Sequence, residues 1–197
     1  MTAVRQPGRV AGIGLLAMSV FAGFANFGVV ERVATPADTT TTLFRAAVLA
    51  LVLVVALDVL VALALREFFA PVDHALATLA AWFRLVYAAV FLVAVARLSA
   101  GEVEGFRDVW DLGLVLFGVH LLLLGYLVHR SANVPTVLGV LLAVAGLGYA
   151  VDGAGFATGL AAFTFVGEVL FMLWLLVKGG NASTPNDRHS LTGADRP

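Results

Sequence analysis

The sequence contains no cysteine, which excludes disulfides, thiolate nucleophiles, iron–sulfur clusters and thiolate metal sites and leaves no redox compartment to infer. Lysine occurs once, as Lys178, so arginine carries nearly all the positive charge and the net charge is −1. No basic stripe is available for a phosphate backbone, and no nucleic-acid partner is expected. A Gly-rich phosphate loop, an HExxH pair and a Ser/His/Asp spacing are all missing, so no cofactor and no catalytic residue is expected; Ser19 has no base beside it. Charged residues make up only 13% of the chain, against roughly 25% in soluble domains.

Apolar residues fill the space that charge leaves: 61% of the chain is hydrophobic and the mean hydropathy is +0.99. Six apolar runs, each long enough to cross a bilayer, alternate with short polar breaks. The first extends from Val10 to Val30 and is closed by Glu31 and Arg32. At about 21 residues it exceeds the 7–15 of a signal-peptide core, which favours an uncleaved helix over a leader. Val33 to Thr42, with Pro36, Asp38 and a threonine run, reads as an exposed loop.

The second span, Arg45 to Leu65, carries Asp58, and the break at Pro71 to His74 is short enough to make the third span, Ala75 to Ala96, its antiparallel neighbour. Ser99 to Asp111 is the most acidic stretch, yet Val103, Phe106 and Trp110 recur at helical spacing, the pattern of a short amphipathic helix at the membrane interface. The fourth span, Val109 to Val128, contains His120. Pro135 opens the fifth, which runs to Val151 with a small-residue stripe at Gly139, Ala143, Gly146 and Ala150 suited to close packing. After a Gly-rich turn the sixth span, Gly155 to Val177, contains Glu168. Tyr126, Trp110 and Trp174 read as interfacial aromatic anchors.

The expected fold is therefore an all-α integral membrane protein, a bundle of six transmembrane helices over residues 1–178, with a disordered polar tail over residues 179–197. The expected location is the cell membrane, crossed several times, with the lipid bilayer as first partner. Six spans place both termini on one side, where Arg5, Arg9, Arg66, Arg130 and Lys178 oppose Arg32, Arg45, Arg97 and Arg107. That bias favours cytoplasmic termini.

Within the third span, Trp82-Phe83-Arg84-Leu85-Val86-Tyr87 places a permanent charge inside an apolar run. A mid-membrane guanidinium is disfavoured by about 2.5–3.5 kcal/mol on insertion scales and so turns inward to a partner. Asp58 lies eight residues from Arg66, Arg84 ten from His74, His120 nine from His129 and Glu168 ten from Lys178. At about 1.5 Å per residue all four reach one layer, about 12–15 Å deep. Tyr87, one turn beyond Arg84, adds a hydroxyl to the same face.

With His120 neutral, the layer carries one net negative charge. Two readings stay open. In the first, a structural network sets helix register, with Arg84 bridging Asp58 and Glu168 and His120 bonded to a backbone carbonyl. In the second, the layer binds a proton, a cation such as sodium, or a small polar ligand such as an amine. A metal site of Asp58, His120 and Glu168 is allowed by ligand type but opposed by the Arg84 charge. Haem is disfavoured because no other span offers a histidine.

Phe83-Arg84-Leu85-Val86-Tyr87, Gly118-Val119-His120, Gly125-Tyr126-Leu127, Gly146-Leu147-Gly148-Tyr149 and Gly167-Glu168 leading to Trp174-Leu175-Leu176-Val177-Lys178-Gly179 resemble the prokaryotic domain-of-unknown-function family 4386. Pro135 with Leu138-Gly139, and Asp58 ahead of Val59-Leu60-Val61, follow the same pattern. The likeness covers the chain up to Gly179 and is looser in the first helix, where Asn26 stands in the place of an acidic residue. It implies a multi-spanning integral membrane protein and assigns no reaction. Two function classes follow: a small transporter or channel-like protein using the layer as a binding site, or a non-catalytic scaffold or sensory partner engaged through the acidic stretch or the tail.

Overall fold

The computed structural model describes residues 6–156, 159 and 165–180. Six α-helices account for most of them: α1 Pro7–Gly28, α2 Thr42–Phe69, α3 His74–Ser99, α4 Val103–Arg130, α5 Thr136–Val151 and α6 Val166–Lys178. The expected tail beyond Gly180 lies outside the described residues. Local chemistry sets the boundaries. Pro7 opens α1 where its missing N–H costs nothing, the Thr41 hydroxyl accepts the Phe44 amide at the start of α2, and the Asp73 carboxylate accepts the Leu76 amide at the start of α3.

Each helix packs on the next in sequence, and α6 returns to α1, so the six close a ring. Five helical segments are long and apolar enough to cross a membrane: Pro7–Arg32, Thr42–Phe69, His74–Ser99, Val103–Arg130 and Thr136–Phe156. Their outer faces stay apolar, with Val20, Phe27, Leu49, Trp82 and Val137 each exposed by more than half. Only hydrocarbon suits such a surface, and the protein is membrane-embedded. The described part of α6 has 13 residues, about 20 Å of helix.

Three sequence expectations change. The acidic stretch is not a separate interfacial helix: it is the start of α4, which runs unbroken from Val103. Its apolar side is spent inside the ring, where Phe106 is 1% exposed and Trp110 packs 5.3 Å from Phe106 and 5.7 Å from Phe91. The fifth helical segment does not stop at Val151 but continues into a wider π turn from Asp152, until Gly155 breaks the helical geometry where a Gly-rich turn was expected. Gly155 sits there at φ 89°, a conformation open to glycine.

The third change is one of detail: the loop after α1 is exposed as expected, and it is shaped by two short 3-10 turns, Val30–Arg32 and Pro36–Thr40. The Asp38 carboxylate accepts the Thr35 amide at 2.8 Å, the Thr35 hydroxyl at 3.0 Å and the Ala34 amide at 3.1 Å. Those donors, the Thr35 amide foremost, hold its carboxyl below the ordinary value of 3.8. A depressed carboxyl stabilises the turn fully above its unfolded value and loses that contribution as pH falls through the folded one. Acidification below the ordinary carboxylate range is therefore expected to release the Ala34 and Thr35 amides to hydrogen exchange. In Asp38→Asn the extra acid-induced loss of protection should vanish.

The seam between α4 and α5 is made of glycine. A Cβ added to Gly118 would lie 2.5 Å from the Gly146 carbonyl oxygen, one on Gly146 2.6 Å from that of Gly118, and one on Gly125 2.6 Å from that of Gly139. Gly153 continues the series against the Asp111 carbonyl at 2.5 Å. Seven residues separate successive contacts on each helix, two turns, so the two backbones touch at every crossing of one face. The stripe expected on α5 is met by a complementary one on α4.

Candidate functional site

Arg84 of α3 and Asp58 of α2 meet inside the ring, Nη2 to Oδ1, at 2.7 Å, with Asp58 0% and Arg84 2% exposed. The guanidinium is tied down on its other sides as well. Nη1 lies 3.3 Å from His120 Nε2, Nη2 lies 3.6 Å from Met18 Sδ, and the cation stands 5.5 Å over the Phe117 ring. His120, 1% exposed, places Nδ1 2.8 Å from the Ala80 carbonyl oxygen. A carbonyl accepts only, so Nδ1 carries the hydrogen and Nε2 offers its lone pair to Arg84. Both imidazole nitrogens are thus occupied, which leaves His120 without a lone pair for a metal.

Asp58 is less well served. Its Oδ2 is fully buried and has no hydrogen-bond partner among the described residues, and neither has Arg84 Nε. Such atoms are uncommon in folded proteins and call for an explanation.

Glu168 stands in the first turn of α6 and is half-buried. The expected bridge from Arg84 to both carboxylates does not form. Arg84 pairs with Asp58, while Glu168 borders a hollow beside Tyr149 of α5 and makes no ion pair among the described residues. Equal depth had put Glu168 in the layer, but depth says nothing about position around the ring. Tyr87 turns inward, 9% exposed; its hydroxyl accepts from Trp110 Nε1 at 3.3 Å and its ring lies 4.8 Å from Phe117. Trp110 is therefore a wall of the interior, not the interfacial anchor expected of it.

These groups line a cleft of about 170 Å³ that reaches from Asp58, Arg84 and Glu168 toward Asn26 and Trp110, near the end of the ring where α1 leads into α2. A second hollow of about 180 Å³ shares Leu15, Ser19 and Glu168 with it and is bounded by Tyr149, Phe165 and Met172. Toward the opposite end lies a hollow of about 10 Å³, among Leu65, Leu121, Leu124, Leu142 and Phe171. Below that, Phe69 stacks on Phe171 at 6.4 Å and meets Phe68 edge-on at 4.9 Å.

Several lining residues were not assigned from sequence. Leu15, Ser19, Ala22 and Asn26 fall at i, i+4, i+7 and i+11 on α1, and all four border the cleft. That stripe was legible, because Ser19 and Asn26 are the polar members of one face. Met18 and Tyr149 carried no comparable signal.

No solved structure matches this chain. A protein of Archaeoglobus fulgidus, described as uncharacterized, is 41% identical over 135 residues, which cover 66% of this chain and 82% of that one. Residues 10–179 match the model of a family described as domain of unknown function (DUF4386), with Arg84, Asp58, His120 and Glu168 inside the matched range. A match over most of the length shows the family, and this membrane-embedded helical chain is a member of DUF4386.

Proposed function

We propose that this protein binds a small cation in the cleft between α1, α2, α3, α4 and α6, with Glu168 as the carboxylate that meets it, and that it acts as a small transporter or ligand-binding protein of the cell membrane with cytoplasmic termini. One observation carries the reading. Of the three charges lining the cleft, Arg84 is committed to Asp58, which leaves the Glu168 carboxylate as the excess negative charge beside open volume. A proton, a metal cation and an organic ammonium are the candidates for that charge.

Thermal unfolding of the purified protein tests this. Sodium, potassium, ammonium-type cations and pH are varied for wild type and Glu168→Gln. The groups facing Glu168 are Tyr149 from α5, Arg84 from α3, Asp58 from α2 and Ser19 from α1. A ligand at a hundred times its dissociation constant stabilises by about 2.7 kcal/mol, so a concentration-dependent shift is expected in wild type and its loss in Glu168→Gln. If wild type ignores every additive and every pH step while the variant is simply less stable, the layer is a structural staple. The scaffold reading then takes over.

A further inference from the structure

The aromatic part of the cleft lining narrows the ligand class. Trp110, Phe91, Phe117 and Tyr87 all border the cleft, and their rings lie within 4.8–5.9 Å of one another in successive pairs from Phe117 through Tyr87 and Phe91 to Trp110. A bare metal cation needs oxygen ligands around most of its surface, and the four aromatic side chains offer one, the Tyr87 hydroxyl, which already accepts from Trp110. An organic ammonium needs one carboxylate and aromatic faces, whose negative π clouds attract the cation while the rings cover its carbon skeleton.

The volume agrees. An apolar cavity of about 150 Å³ is known to hold one benzene, and the cleft measures about 170 Å³. Most of such a space would stay empty around sodium. Asn26 and Ser19 add an amide and a hydroxyl along one side. We infer that the ligand is a small organic ammonium of about benzene size, its charged end at Glu168 and its carbon body against Trp110 and Phe91. This deepens the cation-binding reading and rests on it.

The test uses the full chain in lipid nanodiscs, titrated with tetramethylammonium and with benzylammonium at constant ionic strength against sodium chloride. Affinity is taken from the concentration dependence of the thermal shift, so that a lower starting stability does not enter. Either ammonium is expected to stabilise wild type where sodium does not. Glu168→Gln should lose the effect, Trp110→Leu should weaken binding about tenfold, and Trp110→Phe should recover most of it. Stabilisation by sodium or by protons through Glu168, with both ammonium probes inert, overturns the ammonium assignment and leaves the cation-binding reading standing. Ammonium binding that survives unchanged in Glu168→Gln overturns the proposed placement. A wild type inert to everything removes both readings.

Discussion

Replacing Arg84 with methionine is expected to destabilise the protein by about 3–5 kcal/mol, the range found when one partner of a buried ion pair is removed. The expectation follows from how little else Asp58 has. It is 0% exposed, its Oδ2 makes no hydrogen bond among the described residues, and Arg84 is its one ion-pair partner there. The reciprocal change, Asp58→Leu, should cost less. Arg84 would still face the His120 lone pair, the Met18 sulfur and the Phe117 ring.

The double replacement Asp58→Leu with Arg84→Met should return stability close to wild type, because two well-packed apolar side chains avoid the desolvation of both charges. Unfolding in mixed detergent micelles, run as a double-mutant cycle, reads the coupling directly. A single-variant cost below about 1 kcal/mol would match a solvent-exposed pair and would show that water reaches the layer. The double variant also separates structure from binding. Glu168 and the aromatic wall are left in place, so Glu168-dependent cation binding should persist when the pair is gone.

The spans were legible because hydrocarbon demands long apolar runs and turns demand polar, proline or glycine breaks, and both are visible in one dimension. The meeting of Asp58, Arg84 and His120 was legible for a related reason. Counting residues from one set of helix ends gives depth, and a buried arginine must find a carboxylate at its own depth. What depth cannot give is azimuth. Glu168, counted to the same level, stands beside Tyr149 on a neighbouring helix and not on Arg84, and no residue count distinguishes the two.

The acidic start of α4 failed for a different reason. An apolar stripe at helical spacing fits a lipid interface and a protein interior equally well. Only the neighbours decide, here Phe91 and the Tyr87 hydroxyl of α3. The α5 glycines could be read as a packing stripe, but their register against Gly118 and Gly125 is a property of two helices and is written in neither alone.

That register makes the second large effect. Alanine at Gly118 would set a methyl 2.5 Å from the Gly146 carbonyl oxygen and 3.0 Å from the Ala150 backbone nitrogen, and neither is a flexible side-chain end that can swing away. The helices must separate, at a cost of about 1–3 kcal/mol of overpacking, and Gly118→Val should cost more. Gly118→Ala combined with Gly125→Ala should cost less than the sum of the two, since a single outward shift of α5 relieves both clashes.

Gly23→Ala on α1 is the control. Its added methyl meets nothing within 4 Å, and loss of a helical glycine should leave stability unchanged or raise it by about 0.5–1 kcal/mol. The same experiment reaches the cleft. Phe117 and His120 flank Gly118 on α4, while Tyr149, which borders the same hollow as Glu168, follows Gly146 by one turn on α5. Phe117 and Tyr149 stand edge-to-face at 5.6 Å across the seam. Driving the helices apart moves one wall of the cleft away from the carboxylate, so Gly118→Ala should weaken Glu168-dependent binding even where the protein remains folded. A Gly118→Ala protein with wild-type stability and wild-type binding would mean that α4 and α5 are not in backbone contact, and the seam could not be what positions Tyr149 and Glu168.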